Sequence, residues 1–115
     1  MVKRNGSYPA KRVENMKDGE GFVTLESLLT PDELYNKGRL FSVMTIDPGS
    51  SIGYHVHEGE MEAYYVLSGE AELDDNGETV ALNAGDTVYT ADGKGHSVKN
   101  AGATPLKILA VILFT

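Results

Sequence analysis

The 115 residues carry 17 acidic against 10 basic side chains, a formal net charge of −7, and no cysteine. That length reads as one domain. The acidic balance excludes a nucleic-acid or anionic-membrane partner gripped by Lys/Arg patches, and the lack of thiols excludes a disulfide framework and a cysteine nucleophile. No basic-then-apolar leader opens the chain, and its longest apolar run, Ile108–Phe114, is far short of the ~20 residues a membrane helix needs. A cytoplasmic location is the resulting expectation.

Residues 1–22 are polar and hold Gly6, Pro9, Gly19 and Gly21, which predicts an irregular N-terminal arm. Its basic pairs Lys3-Arg4 and Lys11-Arg12 read as solvated charge. The remaining residues, 23–115, form the domain. Val23, Leu25 and Leu28 are expected to pack on it. Thr30, Pro31 and Glu33 compose a capping box with proline at the first helical position, and Gly38 follows Lys37 as a terminator, so one short helix is predicted near Pro31–Lys37.

From Arg39 onward, short apolar runs alternate with turn residues. Strands are predicted at Leu40–Ile46, Gly53–His57, Ala63–Leu67, Glu70–Asp74, Glu78–Leu82, Thr87–Thr90, His96–Lys99 and Leu106–Phe114. Asn76-Gly77 is a strong hairpin signal between the fourth and fifth. Closely spaced strands of this kind predict an all-β barrel or sandwich. In the last run, Ile108, Ala110, Ile112 and Phe114 fall on one face, and Leu109, Val111 and Leu113 on the other. The second face must be covered, either by the helix or arm of the same chain or by a second copy. A homodimer is the favoured reading, since small barrels gain stability from association and twofold dimers are the commonest oligomers.

The chain has three histidines, His55, His57 and His96. His55 and His57 stand at i and i+2, so on a strand both imidazoles enter the same space. That spacing alone also suits a solvated polar face. Glu62 follows a short turn through Glu58, Gly59 and Glu60, and projects into the same space if its strand pairs with the first. His96 opens a later strand and can close the site from the other side. Three imidazoles and a carboxylate suit one divalent first-row ion, with Mn, Fe, Ni, Zn and Cu all admissible. Alternation puts Ser51 and Gly53 on the His55 face and Tyr64 and Val66 on the Glu62 face. Either Phe41, Val43 and Thr45 or Leu40, Ser42, Met44 and Ile46 complete the lining, depending on register. Tyr64, Tyr89 and Glu60 are weak candidates to move a proton, each more at home in core or solvated loop. Asn100 reads as a turn cap.

These residues resemble a known family. Gly49, His55, His57, Glu62 and Gly69 match the first cupin motif, and Gly85, Gly93, His96 and Asn100 match the second. The one departure is Ala91, where the family has proline, which puts the stiffness of that loop in question. The resemblance extends over about Arg39–Thr115. It implies a jelly-roll barrel (double-stranded β-helix) with His55, His57, Glu62 and His96 binding one metal. It also leans toward small oxalate-decarboxylase-like cupins, although Ile52 stands where those enzymes carry a substrate-holding arginine; Arg39 is the available substitute. The implied function is a small metalloenzyme acting on an oxygen-rich acid or sugar-derived substrate by decarboxylation, oxidation or isomerisation. The alternative is a non-catalytic module that binds a small-molecule ligand at the metal.

Overall fold

Period-two alternation decides which side of each strand meets the core, and here it closes two antiparallel sheets over a single interior. The computed structural model describes all residues, 1–115. Its strands are β1 (Ala10–Glu14), β2 (Phe22–Ser27), β3 (Gly38–Ile46), β4 (Ser51–Val56), β5 (Glu60–Ser68), β6 (Glu70–Asp75), β7 (Glu78–Asn83), β8 (Thr87–Thr90), β9 (Gly95–Asn100) and β10 (Leu106–Phe114). One sheet has the order β1-β2-β3-β10-β5-β8 and the other β4-β9-β6-β7. Every predicted strand from Leu40 onward is present. No helix is long and apolar enough to cross a membrane.

The register resolves the alternatives for β3. Ser42, Met44 and Ile46 are buried, while Phe41, Val43 and Thr45 point outward. Leu106, Ile108, Ala110 and Ile112 of β10 enter the same core. Phe114, expected on that face, ends β10 opposite Glu60, beyond a register shift at Ile112/Leu113, and is exposed. The β6–β7 hairpin turns through Asn76 (φ 50°) and Gly77 (φ 98°), the left-handed pair that a tight hairpin of this twist requires.

Two expectations about the N-terminal third need correction. The helix near Pro31–Lys37 is a turn. Its capping box forms, with Thr30 N–H donating to Glu33 Oε1 (2.9 Å) and Glu33 N–H to Thr30 Oγ1 (3.2 Å). Tyr35 (φ 54°) and Asn36 (φ 53°) then turn left-handed and end it. A single turn fixes several dihedrals for very few hydrogen bonds and does not propagate when the next residues must start β3. The one helical element lies instead at Met16–Asp18, as a 3-10 turn. The arm is also not irregular throughout: β1 pairs with β2 from Ala10↔Glu26 to Glu14↔Phe22. An edge strand exposed along most of its length carries no apolar alternation to betray it. Nor are its cations all free. Lys3 pairs with Glu33, and Arg12 bonds Asp47 (2.7 Å) with its guanidinium over the Phe22 ring.

Asn100 does what the sequence suggests, and more. Its amide donates to Ile46 O (2.9 Å) and Thr104 O (2.8 Å), and its Oδ1 accepts from Gly102 N–H (2.9 Å). Asn100→Ala removes the amide that donates to the carbonyls of Ile46 and Thr104, so a loss of about 1–3 kcal/mol is expected. Urea denaturation of the two proteins measures it.

Candidate metal centre

The centre lies between the sheets, and backbone register brings it together. His55 on β4 sits opposite His96 on β9. Glu62 on β5 sits between Ile112 of β10 and Thr90 of β8. His57 lies just beyond β4, where the chain crosses between sheets. Its backbone is tied to the loop after β8, with His57 N–H donating to Lys94 O (3.0 Å) and Gly93 N–H to His57 O (2.9 Å). That loop holds Ala91, buried where the family has proline; the two bonds pin it despite the departure.

A β-bulge corrects the expected alternation on β4. The register shifts between Ile52 and His55, so Ile52 faces inward with His55, in place of Ser51 and Gly53. Gly53 sits in the bulge and turns its carbonyl toward the His55 ring. His55 Nδ1–H donates to Gly53 O (2.8 Å), because a carbonyl can only accept. Nε2 of His55 is therefore the bare nitrogen, and it points at the centre.

The other ligand candidates are held in the same fashion. His57 Nδ1–H donates to Glu60 Oε1 (2.9 Å), and Arg39 grips Glu60 through two bonds of 2.7 and 2.8 Å. The Thr90 hydroxyl lies 2.9 Å from His96 Nδ1. Tyr64 stacks on the His96 ring at 5.0 Å, with its hydroxyl 3.5 Å from Nε2. All three Nε2 atoms converge: His55–His96 is 3.0 Å and His57–His96 is 3.2 Å. Glu62 Oε1 stands 2.9 Å from both His57 and His96 Nε2 and 3.8 Å from His55 Nε2. The four ligand atoms lie within 4.8 Å of one another.

This donor set fits a divalent ion. Nitrogens bound at about 2.1 Å and at right angles around one ion stand about 3 Å apart. In their neutral forms, with Nδ1–H engaged, His55 and His57 turn the Nε2 lone pair toward the Glu62 carboxylate, and a proton or a metal ion among them relieves the repulsion. His55, His57, Glu62 and His96 could therefore hold a metal ion.

The titration behaviour follows from these contacts. Burial by itself would raise the Glu62 carboxyl, but bonds from His55, His57 and His96 outweigh it and hold Glu62 well below its ordinary range. The bond to Glu62 raises His57, Glu60 adds to it, and burial opposes both. Arg39 first, then His57, lowers Glu60 from 4.5 to about 2. Burial pushes the Tyr64 phenol far up, and the nearby Glu62 charge adds to the shift.

The family is decided by the chain's matches to known proteins. A family model described as "Cupin domain" matches residues 42–112. The chain belongs to the cupin family. This cupin is 46% identical over 113 residues to a protein of Thermotoga maritima named "Oxalate-binding protein", covering 98% of this chain and 93% of that one. A crystal structure of a predicted oxalate decarboxylase from the same species superposes with a TM-score of 0.97 at 45% identity, over the full length of both chains. Similarity to the oxalate decarboxylase of Bacillus subtilis is more distant, 32% over 75 residues, covering 61% of this chain and only 20% of that enzyme.

Of the weak proton-carrier candidates, only Tyr64 reaches the centre. Tyr89 pairs with Ala63 on the outer face of the barrel and is 65% exposed. Glu60 is no solvated loop charge; it orients His57. The sequence reading missed Thr90, and it named Gly53 as lining but not as the partner that orients His55. Thr90 would follow from the β5–β8 register, and Gly53 from the bulge, but neither is visible without coordinates.

Because Glu60 orients an imidazole, Glu60→Gln is expected to weaken divalent-metal affinity by about 10–100-fold, measured by competition with a chromophoric chelator. The same residue carries an acid-stability signature. Its pKa is depressed from 4.5 to about 2 on folding. The stability it supplies is thus fully present above pH ~4.5 and is lost as pH falls toward 2. Thermal melts of the metal-free protein across that window are expected to show a shallower acid limb in Glu60→Gln.

Proposed function

We propose that this cupin binds a small dicarboxylate, oxalate foremost, through one divalent transition metal held by His55, His57, Glu62 and His96. The convergence of three Nε2 atoms and one carboxylate oxygen carries the reading. The full-length relative named as an oxalate-binding protein supports the ligand class. An ion held there supplies positive charge and coordination positions that carboxylate oxygens can occupy.

The chain's own residues supply the rest. Leu40, Met44, Ile52 and Ile112 line the adjoining cavity with apolar surface, which sheds water and strengthens charge attraction to a bound anion. Arg39 borders the same cavity, but both of its carboxylate-facing nitrogens are already engaged with Glu60. It steadies His57 and has little left for a ligand.

Binding is favoured over turnover for a specific reason. Oxygen-rich acids need a group that delivers or removes a proton within hydrogen-bond reach. Glu60 faces away through His57, Tyr89 lies outside, and the buried Tyr64 phenol has its pKa driven up. Tyr64 is the one observation that favours the second reading, metal-dependent turnover of the acid, with its hydroxyl as proton donor.

Elemental analysis of protein purified without added metal is expected to find close to one divalent ion per chain. Titration calorimetry is expected to show oxalate binding that disappears in His55→Ala and after chelation. Binding of equal strength in the metal-free protein would overturn the reading. Formation of formate from oxalate, lost in Tyr64→Phe, would establish turnover instead.

We also propose that the partner of this chain is a second copy. The outward positions of β3, β10, β5 and β8 include Phe41, Val43, Leu109, Val111, Tyr65 and Tyr89. None of the outward positions on these four strands is acidic, in a chain of net charge −7. Two copies can share such a face without the like-charge repulsion that the rest of the surface would impose. Sedimentation equilibrium is expected to give a dimer for the wild type and a monomer for Tyr65→Glu.

A further inference from the structure

We propose that Met16 determines which ligands reach the metal centre, limiting them to acids about the size of oxalate. This rests on reading the centre as a metal site for a small acid. The cavity beside the ligand side chains has a volume of only about 40 Å³. Most of its wall comes from barrel strands. Met16 and Lys17 come instead from the loop between β1 and β2, and Met16 packs against the core.

That loop is built for more than joining two strands. Glu14 already pairs with Phe22, and Asn15 N–H donates to Gly21 O (2.9 Å). A two-residue connection is the usual way to close such a hairpin. Here Asn15–Gly21 loops out and presses onto the strand that carries His55. Of its residues other than glycine, Asn15 (φ 53°), Lys17 (φ 55°) and Asp18 (φ 64°) are left-handed, a conformation Asn and Asp tolerate but one that is costly for Lys17. Strain of this kind persists only where surrounding contacts over-determine it.

Those contacts run from the loop backbone to the backbone and one hydroxyl of β4. Ser51 N–H donates to Glu20 O (2.8 Å), and Glu20 N–H donates to Ser51 Oγ (3.0 Å). A Cβ at Gly53 would stand 1.9 Å from Lys17 O, and one at Gly19 would stand 2.4 Å from Ser51 O. Both glycines are there for space, and together they let the loop sit flat on the β4 bulge. The result is a fastened backbone that holds one flexible thioether side chain over the pocket. Methionine fills irregular gaps and adapts its shape. It therefore suits a stop that sets volume without adding charge.

The test uses the manganese(II)-loaded full chain, with loading checked by elemental analysis and folding by circular dichroism. Oxalate and succinate are titrated by calorimetry into wild type, Met16→Ala and Met16→Leu. Wild type is expected to prefer oxalate. Met16→Ala removes the sulfur and the carbons on either side of it, and is expected to tighten succinate by about tenfold or more, a typical yield for pocket-volume changes. Oxalate should stay within about threefold, and Met16→Leu should behave as wild type. An unchanged succinate-to-oxalate ratio in Met16→Ala overturns the proposal.

A second arm separates this inference from the acid reading. The cobalt(II)-loaded proteins are titrated with azide and with benzoate, followed by the visible spectrum. If neither dicarboxylate binds wild type, the acid reading fails. Met16 still acts as a size stop if Met16→Ala admits benzoate and leaves azide unchanged. Equal benzoate affinity in wild type and Met16→Ala removes that role.

Discussion

Bare imidazole lone pairs repel one another, and this chain aims them at a common point. His55 commits its Nδ1 proton to the Gly53 carbonyl and His57 commits its own to Glu60, so in the neutral rings each Nε2 faces Glu62 and His96 with a lone pair. Only a positive charge at that point satisfies them all, either a proton shared among the rings or a metal ion. The rise of the His57 pKa is the metal-free expression of the same demand. Much of the surrounding structure reads as a means of enforcing this arrangement. The β4 bulge turns a carbonyl inward, the β4–β5 corner brings Glu60 under His57, and the β5–β8 register sets Thr90 beside His96.

Each imidazole is thus held from behind by a different kind of group: a backbone carbonyl, a carboxylate anchored by arginine, and a hydroxyl. These partners fix ring orientation before any ion arrives, and the barrel supplies the rigidity for them to do so. Both sheets contribute, since His55 and His96 stand on the four-stranded sheet and Glu62 on the six-stranded one. A shift of one residue in any of these strands would turn a ligand outward. The N-terminal loop is part of the same support, because it presses on the bulge from outside.

How much of this was legible in the sequence depended on whether the signal was local. Alternation and turn residues marked every strand from β3 to β10, since each has one face in the core and glycine, asparagine or proline near its ends. The four ligand candidates were legible too, because motif spacing fixes both strand phase and corner length. β1 escaped because an edge strand with little burial leaves no period to read, and it was absorbed into an irregular arm. The Pro31–Lys37 helix failed the opposite way. Its capping signals were genuine and its hydrogen bonds formed, but no propensity within the segment could outlast the demand that β3 begin at Gly38. The bulge at Gly53 was the costliest omission. One inserted residue reverses inside and outside, so Ile52 replaced Ser51 in the lining, and the contact that orients His55 could not be inferred.

Stability considerations alone would not retain such a centre. The buried polar residues are Ser42, Ser50, His57, Glu62, Thr90, His96 and Asn100, and four of these seven belong to the centre or hold one of its rings. Burying ionisable groups in a small barrel is unfavourable unless they are mutually compensated. Compensation here is complete in hydrogen-bond terms, with no buried side-chain nitrogen or oxygen left unpartnered. It nevertheless requires imidazole nitrogens to share protons across 3.0–3.2 Å. Apolar residues of the same volume in place of buried ionic groups are often neutral or stabilising. The arrangement makes sense if the missing stabilisation arrives with an ion, because whatever binds the folded state selectively adds its binding free energy to folding. Barrel and centre are then interdependent: the sheets hold the ligands in place, and the cation relieves the conflict those ligands impose on the core.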